Sequence, residues 1–415
     1  MNDDRVIVGL DIGTTVVSVA IADYDEDGQL EIIGLGTAPS HGLRRGVVIN
    51  IEATLRSVGL AVEAAEQMAG REVSTVVTGI AGGHIEGLNS RGVVAVTGRG
   101  REITTEDVER VIDAAKAVVI PMDREVIHVI PQEFIVDEQS GIRNPLDMIG
   151  VRLEAEVHII TGSVTSAQNL VKCVNRAGFK VSDIVLQSLA SARAVLTEDE
   201  KELGVLLIDL GGGTTDILIF REGAPYYTSV LPVGGAQVTG DLSIMLKTPT
   251  ESAEQIKHEA GCCYLPLVEA GEPVIIPGVG GRPPASVPRE EICRIIQPRM
   301  DEIYSMVREK IEPKGYLRHL GAGIVLTGGG ALLSGAVELA QEVFGVSARI
   351  GQPGNLGGIG TVYQTPEFST AVGLVLHAEA KGGERADAVS DKEARGRMRG
   401  GFLRGVGKWL RNFFE

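Results

Sequence analysis

The chain contains 415 residues, of which 44% are hydrophobic, so it is long enough to form two or more domains with complete cores. Its formal net charge of −16 argues against nonspecific nucleic-acid binding, because an acidic surface repels phosphate backbones. The 4 cysteines and 7 histidines show no metal-ligand spacing, so we expect no zinc chemistry. Residues 1–4 lack the basic start of a signal peptide, so we do not expect export. No uninterrupted apolar stretch reaches about 18 residues, so we do not expect a membrane span.

The first predicted element is a β-hairpin with a turn of glycine and threonine. Residues 6–20 form an apolar run ending near Asp11, a turn of Gly13, Thr14 and Thr15, and a second β-rich run. Such a turn suits a phosphate, because glycine amides approach an oxyanion closely and a carboxylate at the strand end can hold hydrated Mg²⁺. It has neither the lysine of a Walker loop nor the following helix of a Rossmann loop. Taken alone, it is equally consistent with an ordinary tight hairpin.

The next segment is predicted to contain an insertion. Residues 52–68 have helical periodicity, and residues 73–78 form a strand. Residues 83–161 then form a compact insertion, in which Thr104 caps a helix and two segments alternate as strands. Nothing in the insertion is typical of catalysis, so we interpret it as an interaction or structural module.

A polar residue follows the insertion at a strand-to-helix junction. A helix over residues 167–177 and a strand over residues 181–188 lead to Gln187. A glutamine placed in this way can orient an attacking water, as it does in phosphoryl transfer. A solvated position at the start of a helix is the equally weighted alternative.

The hairpin motif occurs a second time. Residues 205–220 repeat the order of apolar run, acidic residue, glycine turn, threonines and second run. In both copies an acidic glycine turn then leads to a third strand, which indicates a duplicated α/β domain with a cleft between its halves. The residues of the second turn are Asp209, Gly211, Gly212, Gly213, Thr214 and Thr215.

The helix after the second hairpin carries two opposite charges on one face. Gly234 and Gly235 precede it, and residues 248–251 have the pattern of a capping box. Glu254 and Lys257 are three residues apart and therefore lie on the same face, where a surface ion pair is the alternative to a role in ligand binding.

The remaining body of the chain contains a third glycine turn. Residues 271–288 are predicted to form a loop or extended hairpin, and residues 289–312 a helix broken at Pro298. Residues 324–344 are predicted to form a strand, a triple-glycine turn and a helix, whose N-terminus suits a phosphate or ribose. Residues 368–380 form the last helix of the body.

The C-terminal segment differs from the body in charge and pattern. Residues 381–415 contain nine basic and five acidic residues, a net charge of +4, and residues 381–400 have the composition of a flexible linker. Residues 401–415 are amphipathic, but as a helix they would be only about 22 Å long, which is too short to span a hydrocarbon core of about 30 Å. We therefore predict that this helix lies in the interface of an anionic membrane and is not docked on the body of the protein. Their apolar face consists of Phe402, Leu403, Val406, Trp409, Leu410, Phe413 and Phe414, and their cationic face of Arg404, Lys408 and Arg411.

Three turns in this order resemble the nucleotide-binding signatures of the actin, sugar-kinase and heat-shock-chaperone ATPase superfamily. They are residues 11–15, 209–216 and 327–330. Within that superfamily the chain resembles the FtsA family of bacterial cell-division proteins over essentially its whole length, with further support from residues 231–242 and 363–374. The resemblance implies an α/β, actin-like duplicated fold of the ribonuclease-H type, with two lobes, a nucleotide cleft and an inserted subdomain called 1C.

The resemblance also implies ATP and Mg²⁺ as cofactors. Asp11 and Asp209 would flank the metal through water, and Gln187 falls at the position of the residue that orients the attacking water. Because no general base is evident, we expect slow ATP hydrolysis at most. The implied nucleotide-contacting residues are Asp11, Gly13, Thr14, Thr15, Asp209, Gly211, Gly212, Gly213, Thr214, Thr215, Gly234, Gly235, Glu254, Lys257, Gly328, Gly329, Gly330 and Ala331.

The implied domain boundaries follow the turns and the insertion. They are lobe I or subdomain 1A (residues 1–82, 162–204 and 366–380), subdomain 1C (83–161), lobe II or subdomain 2A (205–235 and 313–365), subdomain 2B (236–312), the linker (381–400) and the membrane-targeting helix (401–415).

The resemblance implies a place at the cytoplasmic face of the cell membrane, at the division site. The implied partners are the C-terminal tail of the tubulin-like protein FtsZ, further copies of the chain in a filament, the anionic membrane surface, and later division proteins through 1C, but no nucleic acid. Arg294, Arg299 and Arg308 could meet the acidic FtsZ peptide, and a solvated helix face is the alternative. A cytosolic actin-like scaffold or a pilus-assembly ATPase of the PilM or MreB type remains the alternative function.

Overall fold

The computed structural model describes residues 6–394 except 98, 270, 279, 281 and 282. The chain begins with the predicted hairpin, because β-rich runs flank a turn whose glycine amide bonds across it, Gly13 N donating to Val16 O at 3.1 Å. Asn50 caps the first helix by accepting from Ala53 N, and Gly70 ends it with a φ of 63°. The elements are β1 (Ile7–Ile12), β2 (Val16–Tyr24), β3 (Leu30–Pro39), β4 (Leu43–Arg44), β5 (Val47–Val48), α1 (Ile51–Ala69) and β6 (Thr75–Ile80).

The insertion forms a sheet of its own with one covering helix. Thr104 and Asp107 make the predicted capping box at the start of that helix. The strand order of the sheet is β7-β10-β8-β9. Its elements are β7 (Glu86–Ala95), α2 (Thr105–Lys116), β8 (Arg124–Val136), β9 (Gln139–Ile142) and β10 (Arg152–Ser163).

After the insertion the chain returns to the first sheet. Strand β11 pairs in parallel with β6, which gives the strand order β11-β6-β1-β2-β3. This sheet and its helices are called lobe I below. The returning elements are α3 (Val164–Arg176), β11 (Lys180–Leu186), α4 (Gln187–Val195) and α5 (Glu198–Leu203).

The second half of the chain repeats the sheet of the first half. Its strand order is β14-β13-β12-β17-β18, in which an antiparallel meander is continued by parallel strands as in lobe I. This half is called lobe II. Its elements are β12 (Val205–Leu210), β13 (Thr215–Arg221), β14 (Ala224–Leu231), α6 (Gly235–Leu246), α7 (Thr250–Ala260), β15 (Pro273–Ile276), β16 (Ala285–Pro288), α8 (Arg289–Ile311), β17 (Gly323–Thr327), α9 (Ala336–Phe344) and β18 (Ala348–Ile350), and the chain then continues into α10 (Ser369–Ala394).

Helices α4 and α10 lie between the two sheets. Ala192 of α4 and Val372 of α10 share one buried cluster with Ala20 of lobe I and with Leu207 and Val325 of lobe II. The two lobes therefore meet across a buried, apolar helical layer, and the turns at their strand ends face each other beside it.

Two predicted features of the lobe II helices are wrong. Thr248 does not cap α7, because its hydroxyl donates to Pro277 O at 2.7 Å and Pro249 precedes the helix without a side-chain cap. Pro298 does not break α8, which is continuous. The buried face of α8, with Ile296 and Met300 on either side of the proline, outweighs the hydrogen bond that proline removes.

Two predicted boundaries also change. The third glycine turn leads into a 3₁₀ turn over Gly329–Leu332, and α9 starts only at Ala336. Helix α10 continues to Ala394, so the part of the predicted flexible linker up to that residue is helical. Residues 384–394 are rich in alanine and in charged helix formers, which favours this extension. Among the helices that the structure describes, none has the length and apolarity needed to cross a membrane.

The inserted sheet also contacts lobe II. His158 Nε2 lies 2.8 Å from Thr228 Oγ1 on the edge strand β14, and His158 Nδ1 lies 2.6 Å from Asn89 Oδ1. Beside it, Gln132 Nε2 donates to Pro225 O at 2.9 Å. The insertion is therefore joined covalently to lobe I and through hydrogen bonds to lobe II.

The buried His158 should make the stability of the protein sensitive to acid. Burial lowers the pKa of His158 from 6.5 to about 4. The unfolded chain binds this proton more readily, so the stability is complete above pH 6.5 and falls as the pH drops toward 4. Between pH 7.5 and 5 we expect this residue to account for a loss of about 2 kcal/mol in the free energy of unfolding. Chemical denaturation of wild type and His158→Gln at both pH values measures it.

The variant should lose less stability on acidification than the wild type by that amount. His41→Gln, at an exposed histidine, is the matched control and should keep the wild-type difference. An equal pH dependence in wild type and His158→Gln would contradict the expectation.

Candidate nucleotide site between the lobes

The two glycine turns meet at the cleft between the lobes. Gly211 N donates to Thr214 O at 3.0 Å, the same bond that Gly13 makes in the first copy. A Cβ atom at Gly212 would lie 2.2 Å from Thr15 Oγ1, and one at Gly213 would lie 2.4 Å from Thr14 Oγ1. Only glycine permits this approach, so the structure brings the predicted residues of both turns together.

Helix α6 braces the second turn. Gly235 N donates to Gly211 O at 2.9 Å, and Ala236 N donates to Gly212 O at 2.8 Å. Gly234 precedes the helix as its N-cap. Gly234 and Gly235 therefore lie at the site, where they support the turn through the backbone.

The third turn closes the site from the side of lobe II. Gly328 has a φ of +78°, and a Cβ atom there would lie 2.3 Å from Asp209 Oδ1. Gly329 and Gly330 continue the 3₁₀ turn, and the buried Ala331 donates its amide to Gly328 O at 3.1 Å. The backbone of this turn thus lies directly against the acidic strand end.

Three carboxyl groups lie near the strand ends beside the turns. Asp209 and Asp216 are buried and paired across β12 and β13, and the half-buried Asp11 is the residue before the last of β1. Burial and the charge of Asp209 raise the pKa of Asp11 to about 7. Burial raises the pKa of Asp209, and burial together with Asp209 raises that of Asp216. Asp216 Oδ1 is buried without a hydrogen-bond partner.

This acidic group fits a hydrated divalent cation. A cation would offset the repulsion and burial that raise the three pKa values, and carboxylate oxygens are the donors that Mg²⁺ prefers. Within the described residues, no three acidic, histidine or cysteine side chains converge closely enough to ligate a metal directly. Asp11 and Asp209 are placed where they could hold a hydrated Mg²⁺, since Mg²⁺ usually keeps several of its waters.

Gln187 lies against the first acidic strand end. Its Nε2 donates to Asp11 Oδ1 at 2.7 Å, and its side chain packs on Gly79 of β6, where a Cβ atom would lie 2.7 Å from Gln187 Cγ. These contacts fix the orientation of the Gln187 side chain at the candidate site, so it is not a freely solvated side chain at the start of a helix.

Glu254 and Lys257 form an ion pair with each other, which was the alternative to a role in ligand binding. Lys257 Nζ lies 2.8 Å from both carboxylate oxygens of Glu254, and Thr239 donates to the same carboxylate. Lys257 Nζ also lies 3.4 Å from Gly235 O, which places the pair beside α6 and the second turn. Contact with a nucleotide remains a prediction for both residues.

The threonines of the turns differ in position. Thr14 Oγ1 accepts from Gly46 N at 3.0 Å, and Thr15 is exposed. Thr214 is buried and bonds to Asp216. Thr215 lies within β13 with its hydroxyl donating to Val233 O at 2.8 Å, so its side chain is used by the fold.

Sequence reasoning assigned no role to three polar residues of the site. Asp216 lies within the recognised motif, seven residues after Asp209, and its pairing in the hairpin would have indicated its position. Ser191 is four residues after Gln187 on one helix face and donates to Asp209 Oδ2 at 2.6 Å. Thr370 carries no local signal, because it reaches the site only through the packing of α10.

Comparison with known proteins decides the family. A model described as "Cell division protein FtsA" matches residues 206–373, and one described as "SHS2 domain inserted in FTSA" matches residues 82–161. The cell division protein FtsA of Borreliella burgdorferi is 50% identical over 407 residues, which cover 96% of this chain and 98% of that protein. That of Pseudomonas aeruginosa is 49% identical over 377 residues, which cover 91% and 90%. The chain belongs to the FtsA family.

Solved structures agree with this FtsA fold. The PilM–PilN type IV pilus biogenesis complex matches with a TM-score of 0.63 and 17% identity, covering 89% of this chain and 98% of that chain. MreB5 of Spiroplasma citri bound to ADP matches with a TM-score of 0.56 and 15% identity, covering 93% and 99%. The chain therefore has the predicted actin-like, two-lobed α/β fold with the inserted subdomain.

The predicted partner residues of this FtsA chain lie on or beside α8. Arg299 pairs with Asp241 at 2.7 Å and with Glu302, and Arg308 pairs with Glu312 and donates to Val343 O at 2.7 Å. Arg294 is exposed on the same helix. The predicted membrane residues, from Phe402 to Phe414, lie outside the described residues.

Proposed function

We propose that this FtsA family member binds ATP with Mg²⁺ between its lobes, assembles into filaments on the inner face of the cytoplasmic membrane, and tethers FtsZ filaments there at the division site. The observation that carries the nucleotide part is the meeting of the two glycine turns beside three carboxyl groups with raised pKa values, Asp11, Asp209 and Asp216. The membrane part rests on the amphipathic pattern of residues 401–415.

The chain's own groups would divide the work of ATP binding. Backbone amides of the turns and the hydroxyls of Thr14 and Thr15 would hold phosphate oxygens, while Asp11 and Asp209 would hold the waters of Mg²⁺. The bound metal would neutralise charge on the phosphates. Gln187 would orient a water, but no described residue is evident as a general base, so ATP acts mainly as a ligand for assembly and hydrolysis is slow.

Assembly would strengthen a weak membrane contact. One short amphipathic helix binds a bilayer reversibly, whereas several helices held in one filament bind at a high effective concentration. ATP-dependent assembly would then control membrane attachment. Subdomain 1C, which is joined to both lobes, would be the surface for later division proteins.

The FtsZ tail would bind near Arg294 on the part of the chain assigned to subdomain 2B. Arg299 and Arg308 already have acidic partners, so an acidic peptide would have to compete for them, whereas Arg294 is exposed. We expect Arg294→Glu to weaken binding of an FtsZ-tail peptide about threefold to tenfold, since like charges at an interface oppose association. Fluorescence anisotropy of a labelled peptide measures this.

Arg71→Glu is the matched charge reversal for this test. Arg71 is half-exposed and pairs with Asp23 in lobe I. This variant should bind the peptide like the wild type. Equal affinity for wild type and Arg294→Glu would remove Arg294 from the FtsZ site.

The whole proposal is tested by sedimentation with vesicles. Full-length protein is mixed with anionic vesicles and an FtsZ-tail peptide, with and without MgATP. We expect the protein and the peptide to pellet together and the pelleted fraction to rise with MgATP. A protein that stays in solution under all conditions would contradict the tether and favour a cytosolic actin-like scaffold.

A further inference from the structure

Two buried hydroxyl groups, on helices α4 and α10, contact the same oxygen of Asp209 in lobe II. Ser191 Oγ donates to Asp209 Oδ2 at 2.6 Å. Thr370 Oγ1 lies 2.9 Å from Ser191 Oγ and 3.5 Å from Asp209 Oδ2. Ser191 donates its single proton to Asp209, so it can only accept from Thr370. The contact of Thr370 with Ser191 is shorter than its contact with Asp209, and we therefore take Thr370 as the donor to Ser191. The hydroxyls thus form a chain from Thr370 through Ser191 to the carboxylate.

The other oxygen of Asp209 has a different environment. Oδ1 lies against the third glycine turn, where a Cβ atom at Gly328 would approach it to 2.3 Å. The two oxygens are therefore distinguished, one held by hydroxyls and one facing backbone at the site. Rotation of the carboxylate would leave Ser191 without its acceptor, and a buried hydroxyl without a partner is costly.

The hydroxyl chain is shielded from solvent. Ser191 is completely buried and Thr370 nearly so, and water therefore does not replace these hydroxyls.

We propose that Ser191 and Thr370 are positioning residues for the metal side of the nucleotide site. They hold the Asp209 carboxylate with Oδ1 toward the third turn, and so set the part of ATP binding that depends on Mg²⁺. This inference rests on the proposed nucleotide site. Because Ser191 belongs to α4 and Thr370 to α10, the geometry of Asp209 depends on how these two helices lie against the sheet of lobe II.

Ser191→Ala tests the inference through the metal dependence of ATP binding. Titration calorimetry with ATP is carried out in excess Mg²⁺ and in excess EDTA. We expect Ser191→Ala to lower the affinity for MgATP about tenfold, because the loss of a supporting residue behind a metal ligand typically has this effect. The affinity for ATP in EDTA should stay within about twofold of the wild type.

Thr370→Val keeps the shape of the side chain and tests the order of the hydroxyl chain. Because Thr370 acts through Ser191, we expect a loss of MgATP affinity of about threefold, and no further loss when it is added to Ser191→Ala. Ser369→Ala is the matched control on the same helix. Ser369 is fully buried and makes a similar hydroxyl contact with Thr327 at 2.7 Å, and this variant should keep the wild-type dependence on Mg²⁺.

The outcomes separate this inference from the function on which it rests. Wild type that binds ATP equally with and without Mg²⁺ would overturn the proposed metal site. Wild type that depends on Mg²⁺, with Ser191→Ala and Thr370→Val unchanged, would overturn the positioning role alone. Equal losses with Mg²⁺ and with EDTA would also overturn it, since they would reflect a general effect on the cleft.

Discussion

Replacing Asp209 with asparagine is expected to lower the affinity for MgATP about 100-fold, because a charge-assisted interaction contributes about 1.5–3 kcal/mol. Asparagine keeps an oxygen that can accept from Ser191, so the fold should be preserved. Affinity for ATP in EDTA should change little, since the lost interaction requires the metal. Titration calorimetry with and without Mg²⁺ measures both quantities.

The same variant should be more stable than the wild type without nucleotide. Asp209 is buried beside Asp216, and its charge raises the pKa values of Asp11 and Asp216. Removing that charge relieves repulsion that only a bound cation would offset. A raised melting temperature together with lost MgATP binding would identify Asp209 as a functional rather than a structural residue. Asp199→Asn, at an exposed carboxylate of α5, should change neither quantity.

Removing residues 401–415 is expected to abolish sedimentation with anionic vesicles. The segment supplies the apolar face that would enter the interface, including Trp409, and the cations that would meet the headgroups. Trp409→Glu should have the same effect as the truncation, because it replaces the largest apolar side chain of that face with a charge. Vesicle co-sedimentation of full-length protein, truncated protein and the variant measures this.

Asn412→Glu provides the matched control for the tail. It changes the charge of the segment by the same amount as Trp409→Glu but lies on the polar side of the predicted helix. Most of this variant should still pellet. If protein ending at Gly400 pelleted as well as the full chain, the tail would not be the tether, and a cytosolic scaffold would be the better account.

The local features of the site followed from residues that are close together in the sequence. The hairpins at Gly13 and Gly211 formed as predicted, because a short glycine turn holds the β-rich runs on its two sides close enough to pair. The cap at Thr104 also formed, since its partner Asp107 is only three residues away. Periodicity likewise located Gln187 at the junction where the structure has it.

Predictions failed where distant packing outweighed a local signal. Thr248 has the sequence of a helix cap, yet Pro277 offers its hydroxyl another acceptor. Pro298 normally disrupts a helix, yet the buried face of α8 keeps this one continuous. A third difference is local rather than tertiary, since helix α10 passes the predicted boundary at residue 380 because residues beyond it also favour helix.

The sequence by itself determined the duplicated turns, the insertion and the amphipathic tail, because each depends on spacing between near neighbours. Only the tertiary structure decided how the turns meet and what holds Asp209. Ser191 and Thr370 lie 18 and 161 residues from it along the chain, and they reach it because α4 and α10 pack between the lobes. The contact of His158 with Thr228 has the same origin, since a hydrogen bond across 70 residues leaves no periodic signal.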